Sequence, residues 1–344
     1  MAECFIASNE PQMSTEVSTA ISMEITTFYE IHTEAKKRSA IEYKIANIIY
    51  HYCPPILIII ALFGNSMTML VFSRKTMRQS VTSFLFRVLA VADTFFVLVS
   101  MVPEALNELG HNPITYSTDL RCKIYTYVYL GGRTSAIWIL VLIVMERFIG
   151  INFPHKAASI ITHKRAKIAV AMVFILTYLL YLMVPFITST WTLRNMEGEI
   201  INYFCIIEGY KLKYFDKGFT PYDISWYAVM PFIIMVLANT SIIYCLIKAK
   251  RRRSQTTGNS NNSTDLRGMT AMLLGISFAF LACAIPYFVA GLGTKASEYG
   301  KPGVYLLTAV SSVLVNLNHC INFYIYCLTG SHLRSEVRKM FCCQ

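Results

Sequence analysis

Seven long apolar runs constrain this chain more than anything else in it. They lie at roughly 46–73, 81–105, 122–149, 167–190, 224–249, 269–291 and 303–328. About 20 such residues in a helix cross the hydrocarbon core of a bilayer, where only helices and closed barrels can satisfy their own backbone. Each run is continuous rather than a short alternation, which predicts helices and not barrel strands. Pro54, Pro103, Pro185, Pro231 and Pro286 fall inside the runs, and neighbouring helices can satisfy the carbonyls they free. Only 15% of residues are charged and 55% are hydrophobic, whereas a soluble domain carries nearer a quarter charged. The expected fold is an all-α membrane protein. A polar tail (1–45) leads into a seven-transmembrane helix bundle (46–329), and a short amphipathic helix and tail (330–344) follow.

The charges set the expected orientation. Arg74, Lys75, Arg78, Lys164, Arg165 and Arg251 to Arg253 gather with the C-terminal basic residues on one side of the runs, where the only acids are Asp265 and Glu336. Acids outnumber bases on the other side. The positive-inside rule then places the N-terminus outside and the C-terminus inside. The net charge of +11 is accounted for by an inner membrane face, so nucleic acid is not an expected partner. The stretch "RRRSQTTGNSNNSTD" between runs five and six reads as a polar linker.

Ten cysteines show no C-x-x-C pair and no zinc-site spacing, and no catalytic constellation or cofactor motif is present. Cys122 begins the third run and Arg147 ends it, about 38 Å apart on a helix rising about 1.5 Å per residue. Cys205 lies in the long loop between runs four and five. In an oxidising compartment Cys122 and Cys205 can pair and clamp that loop; the alternative is two free thiols. After the last run, Leu333, Val337, Met340 and Phe341 recur at helical spacing among basic residues, as in a helix lying on the inner leaflet. Cys342 and Cys343 then sit where S-acylation occurs; the alternative is a loose terminus.

Polar residues inside the runs are functional candidates, because a charge at mid-membrane costs about 2.5–3.5 kcal/mol on insertion scales. Asp93 in "LAVADTFF", Asn65 in "LFGNSM", and Asn318 and Asn322 in the seventh run are at comparable depth. They form either one functional polar pocket or a structural hydrogen-bond network. Tyr125, Tyr129 and Arg133 share one face of the third run at a spacing of four. Arg133 is either an anchor for a peptide carbonyl, amide or carboxylate, or the partner of a buried acid such as Glu104. Glu146 and Arg147 stand side by side where "ILVLIVMERFIG" leaves the membrane.

Taken together these residues resemble the rhodopsin-like class of G-protein-coupled receptors. "GN" in run one, "LAVAD" in run two, Cys122 through "ERF" in run three, Pro231, "CAIP" and "NFYIY" occur in the family's order over about 45–343. The resemblance implies that Glu146 and Arg147 form an ion pair holding the receptor off, and that ligand biases a two-state bundle. It implies an activation set of Asn65, Asp93, Glu146, Arg147, Phe280, Pro286, Asn318, Asn322 and Tyr326. Departures are Phe148 for the Tyr after the pair, Phe323 for a Pro, Asn239 for a Tyr, and Ala284 for the toggle Trp, which moves that task toward Phe280. Ala136 replaces a hydroxyl residue near Asp93.

Asn316 stands where an opsin carries its retinal Lys, and Tyr129 where aminergic receptors carry an Asp, so the resemblance points away from light and amines. "VMERFIGINFPHKA" and "NHCINFYIYCLTGSHLR" look most like invertebrate neuropeptide receptors of the FMRFamide kind. Expected ligand residues are Glu104, Tyr125, Tyr129, Arg133, Glu208, Tyr287 and Asn316. Glu104 and Glu208 are placed to receive a basic residue such as the Arg of an RF-amide end, or else are solvated rim charges. Expected partners are an extracellular peptide, a heterotrimeric G protein, arrestin, a receptor kinase and membrane lipid. The competing reading is a chemosensory receptor of the same fold. A transporter would show paired repeats, and none is seen.

Overall fold

The computed structural model describes residues 41–108, 115, 117–194, 200–207, 220–255, 262–293 and 301–341. Helices Ile41–Phe72, Val81–Glu108 and Asp119–Asn152 are the first three spans. The fourth is His163–Leu180, prolonged through a turn to Val184–Ile187; the fifth runs from Thr220–Ile224 through a π-helical turn, Ser225–Val229, into Met230–Gln255. Asn262–Gly293 is the sixth, and Pro302–Cys320 with Asn322–Thr329 is the seventh. Six of these are long and apolar enough to cross a membrane; in the sixth the apolar part is shorter, Leu274–Ala290. The architecture is the expected seven-helix bundle.

The boundaries differ from the apolar runs for physical reasons. Polar turns extend several helices past the hydrocarbon, as at Ile41, His163 and Thr220. The stretch read as a linker is helical at both ends, up to Gln255 and again from Asn262. Run four is interrupted after Leu180, where Pro185 has no N–H to return to Tyr181; it resumes for one turn at Val184–Ile187, and Thr188–Arg194 then forms a strand. This β1 pairs antiparallel with β2, Ile200–Ile207, in a register that sets Thr190 opposite Cys205. Hydropathy gave no sign of the hairpin.

The core lies among spans one, two, three, five, six and seven, with Phe86, Leu89, Phe96, Ile137, Ile139, Ile143, Met235, Ile276 and Phe280 enclosed. The most apolar window of span two is 56% buried and that of span four 17%, which makes span two central and span four peripheral. Exposed Ile175, Leu176, Leu179, Ile56, Ile59 and Leu237 face outward, as lipid-contacting side chains do. Spans three and four meet at Gly131, where an added Cβ would lie 2.5 Å from the Tyr178 ring, so only glycine permits that approach.

The π-helical turn ends two residues before Pro231. Proline has no N–H to give the preceding turn, and a π-turn widens the backbone by one residue there. The Met230 N–H closes it by donating to the Ser225 carbonyl. On the turn before it, Asp223 is carried into the bundle, 2% exposed.

Candidate functional site

Three polar clusters lie within the bundle, the first and third of them built on span three. Nearest the hairpin is the tyrosine ladder. Cys122 is bonded to Cys205 with Cα atoms 5.5 Å apart, and the β1 backbone at Thr190 donates to Asp119 Oδ1 at 3.1 Å. The hairpin is thus held to the first turns of span three. Below it Tyr125 and Tyr129 stack with centroids 6.1 Å apart, both half-buried. Glu104 is half-buried on span two, within electrostatic range of Tyr129 and Tyr50.

Arg133 lies one turn deeper and is fully enclosed. Its Nη2 donates to both Asp223 oxygens, at 2.6 and 2.8 Å. Tyr181 donates to Asp223 Oδ1 at 2.7 Å, and Tyr287 to Oδ2 at 2.6 Å. The guanidinium lies 4.0 Å from the Tyr227 centroid and 5.1 Å from that of Tyr287, distances at which a ring quadrupole attracts a cation. The partner of Arg133 is therefore Asp223 and not Glu104. Asp223 was missed because it falls one residue before the run at 224, while span five starts a turn earlier. The demand of a mid-membrane arginine for a carboxylate was the signal that could have found it. Tyr227 also meets Phe280 edge-on at 6.3 Å, next to the buried Ala284. The cluster thus joins spans three, four, five and six.

The second cluster surrounds Asp93. His319 Nδ1 is 2.7 Å from Asp93 Oδ1, and Asn322 donates to Oδ2 at 2.8 Å. Asn65 donates to the His319 carbonyl at 3.5 Å. The structure thus brings Asn65, Asp93 and Asn322 together. Asn318 is buried but makes no hydrogen bond to Asp93 among the described residues; the neighbouring His319 takes that place. Asn316, expected among ligand residues, is fully buried and donates to the Ser312 carbonyl at 2.9 Å.

The third cluster ends span three. Glu146 and Arg147 pair at 3.2 Å, and Thr82 of span two bridges them. Its hydroxyl donates to the Glu146 carboxylate at 3.1 Å and accepts from Arg147 Nη2. Thr82 was not singled out in the sequence. Close by, Tyr326 is buried against Phe86, with centroids 4.8 Å apart.

Helix Ser331–Phe341 is present as expected, with Leu333, Val337 and Met340 packed on the bundle. Its acid faces inward rather than to water. The side chain of Glu336 is 4% exposed and pairs with Arg74 at 3.2 Å, Lys339 at 2.9 Å and the Thr76 hydroxyl at 3.2 Å. The Lys339 hydrogen bond first, against the upward pull of burial, then the nearby cations and Thr76, hold the Glu336 carboxyl below its ordinary range. Glu208, Cys342 and Cys343 lie outside the described residues, as does the tail through residue 40.

Comparison with known families now fixes the class. Residues 64–326 match the 7 transmembrane receptor (rhodopsin family), and the chain belongs to that family of multi-pass membrane receptors, which are not enzymes. Among its relatives, the allatostatin-A receptor of Bombyx mori is 23% identical over 290 residues, 83% of this chain and 77% of that one. The FMRFamide peptide receptor frpr-18 of Caenorhabditis elegans is 24% identical, covering 84% of this chain and 68% of its own length. The FMRFamide receptor of Drosophila melanogaster is 24% identical over 80% of this chain, which spans half of that protein.

Proposed function

We propose that this chain is a plasma-membrane receptor for an extracellular neuropeptide, with its N-terminus outside, and that it passes binding to a heterotrimeric G protein. The observation that carries this reading is family membership together with relatives named for peptide ligands, matched over about four-fifths of the chain. The tyrosine ladder supports it, since Tyr125 and Tyr129 offer wide amphipathic faces under a disulfide-clamped hairpin. RF-amide peptides are the first class to try, with Glu104 and Glu208 as acceptors for the basic residue, Tyr287 and Arg133 below, and Asn316 deeper still.

The domain reading is a tail at 1–45, the bundle at 46–329 and a surface helix and tail at 330–344, with lipid on Cys342 and Cys343. The activation set is Asn65, Asp93, Glu146, Arg147, Phe280, Pro286, Asn318, Asn322 and Tyr326. Binding shifts the bundle between two states, and Arg147 leaves Glu146 and Thr82 for the G protein. Arrestin and a receptor kinase act on the same inner face. The test is expression with a promiscuous G protein and a screen of amidated peptides against volatile compounds. A peptide response is expected, and a response to volatiles alone overturns the reading.

A further inference from the structure

Beneath the tyrosine ladder sits an arginine whose charge is already matched but whose hydrogen bonding is not. The two oxygens of Asp223 receive Arg133 Nη2, Tyr181 and Tyr287. A carboxylate has about four acceptor sites, so Asp223 is filled. Arg133 is not. Its side chain is 2% exposed, and its Nε–H has no hydrogen-bond partner among the described residues. A buried donor left unmade is costly and calls for an acceptor. Tyr129, at 5.7 Å from the guanidinium, and Tyr125 beyond it lie between this donor and the hairpin end.

We infer that Asp223 determines which ligand end the bundle accepts: by cancelling the charge of Arg133 it leaves the Nε–H for a neutral carbonyl, such as a carboxamide, and turns away a carboxylate. The inference rests on the peptide reading above and adds the group that selects the ligand terminus. A carboxylate at Arg133 would share one guanidinium with Asp223, setting two like charges together in a site closed to water. A neutral carbonyl accepts the same hydrogen bond without a second charge. An arginine without Asp223 would favour the carboxylate, because a charge-assisted bond is roughly twice as strong as a neutral one. The selectivity thus resides in Asp223, although Arg133 makes the bond.

The test uses the full chain, expressed with a promiscuous G protein and given one synthetic peptide library made twice, with C-terminal carboxamides and with free acids. Wild type is expected to respond to carboxamides at concentrations about tenfold or more below those of their acid twins. Asp223→Asn leaves Arg133 uncompensated and is expected to bring that ratio to unity or invert it. Arg133→Gln leaves Asp223 uncompensated and is expected to weaken both responses while keeping the ratio at or above the wild-type value. Both ligands are read on the same cells, so a lower surface level cancels from the ratio.

A wild type indifferent to the terminus, or a ratio unaltered in Asp223→Asn, overturns the inference and leaves the peptide reading standing. If Asp223→Asn yields no surface protein, a ratio that falls in Arg133→Gln overturns it equally. Silence of wild type to both libraries overturns the peptide reading, and this inference with it.

Discussion

Span three carries an ion pair at each end of its buried stretch, and the two are built differently. Arg133 joins a carboxylate on another helix, with both side chains nearly closed to solvent at 2% and 3%. Two tyrosine hydroxyls complete the acid. Arg147 joins the residue beside it on the same helix, at 3.2 Å, with 23% and 12% exposed and one threonine for support. Parting a buried pair strands a charge and costs about 3–5 kcal/mol; the Arg147 pair, at the helix end and partly exposed, strands its charge nearer water and costs less. The Arg133 pair is suited to hold helices in place. The Arg147 pair is suited to come apart, because both partners sit on one helix, which need not move for it to break.

That contrast breaks most readily at its strong end. Asp223→Ala is expected to cost about 3–5 kcal/mol, seen as the largest fall in surface yield and in melting temperature of the purified receptor. Arg133→Met with Asp223→Leu should recover most of the loss, because no charge is then stranded. A double variant no more stable than Asp223→Ala alone would show that the pair is not what holds spans three and five. Next in size is Cys205→Ala, at about 2–4 kcal/mol, measured as reduced surface yield and reduced ligand binding. Normal behaviour in both would detach the hairpin from the ladder below it.

At the weak end, Glu146→Gln is expected to destabilise the resting bundle by about 1 kcal/mol, a roughly fivefold change in a two-state ratio. Ligand-free signalling at matched surface expression should rise accordingly, and Thr82→Val should shift it in the same direction by less. Unchanged basal activity in both variants counts against the switch. The smallest effect concerns Glu336. Its carboxyl is held below the ordinary range, so its contribution to docking of the last helix is complete above the unfolded value near about 4.3. That contribution is lost as pH falls through the lower folded value. Protection of residues 331–341 from hydrogen exchange in nanodiscs, taken against the intrinsic rate at each pH, should therefore fall only on acidification below about pH 4, and Glu336→Gln should remove that step.

What the sequence disclosed and what it hid divide along similar physical lines. Long apolar runs announce spans, and Glu146–Arg147, Asp93 and Asn322 stood out as charge or amide in oil. Cys122 and Cys205 were legible from compartment and position. Asp223 was not, because a hydropathy window ends at the acid that belongs inside. His319 was passed over for the asparagines around it, although an imidazole one residue from Asn318 was equally able to reach Asp93. Glu336 enters the sequence reading only as one of two acids on the basic side, since nothing local reveals that Arg74 and Thr76, some 260 positions earlier, converge on it. Local signals mark where polarity is unusual; the partner must be found across the fold.

The π-helical turn at Ser225–Val229 carries a last consequence. Each residue in an α-helix advances the azimuth by about 100°. The π turn takes up one residue more than an α turn, so winding the same residues as plain α-helix, with every side chain unaltered, would swing Asp223 from Arg133 toward the acyl chains. The neutrality of the Arg133 cluster is thus fixed by how the backbone winds between Asp223 and Pro231, as much as by which amino acids it bears.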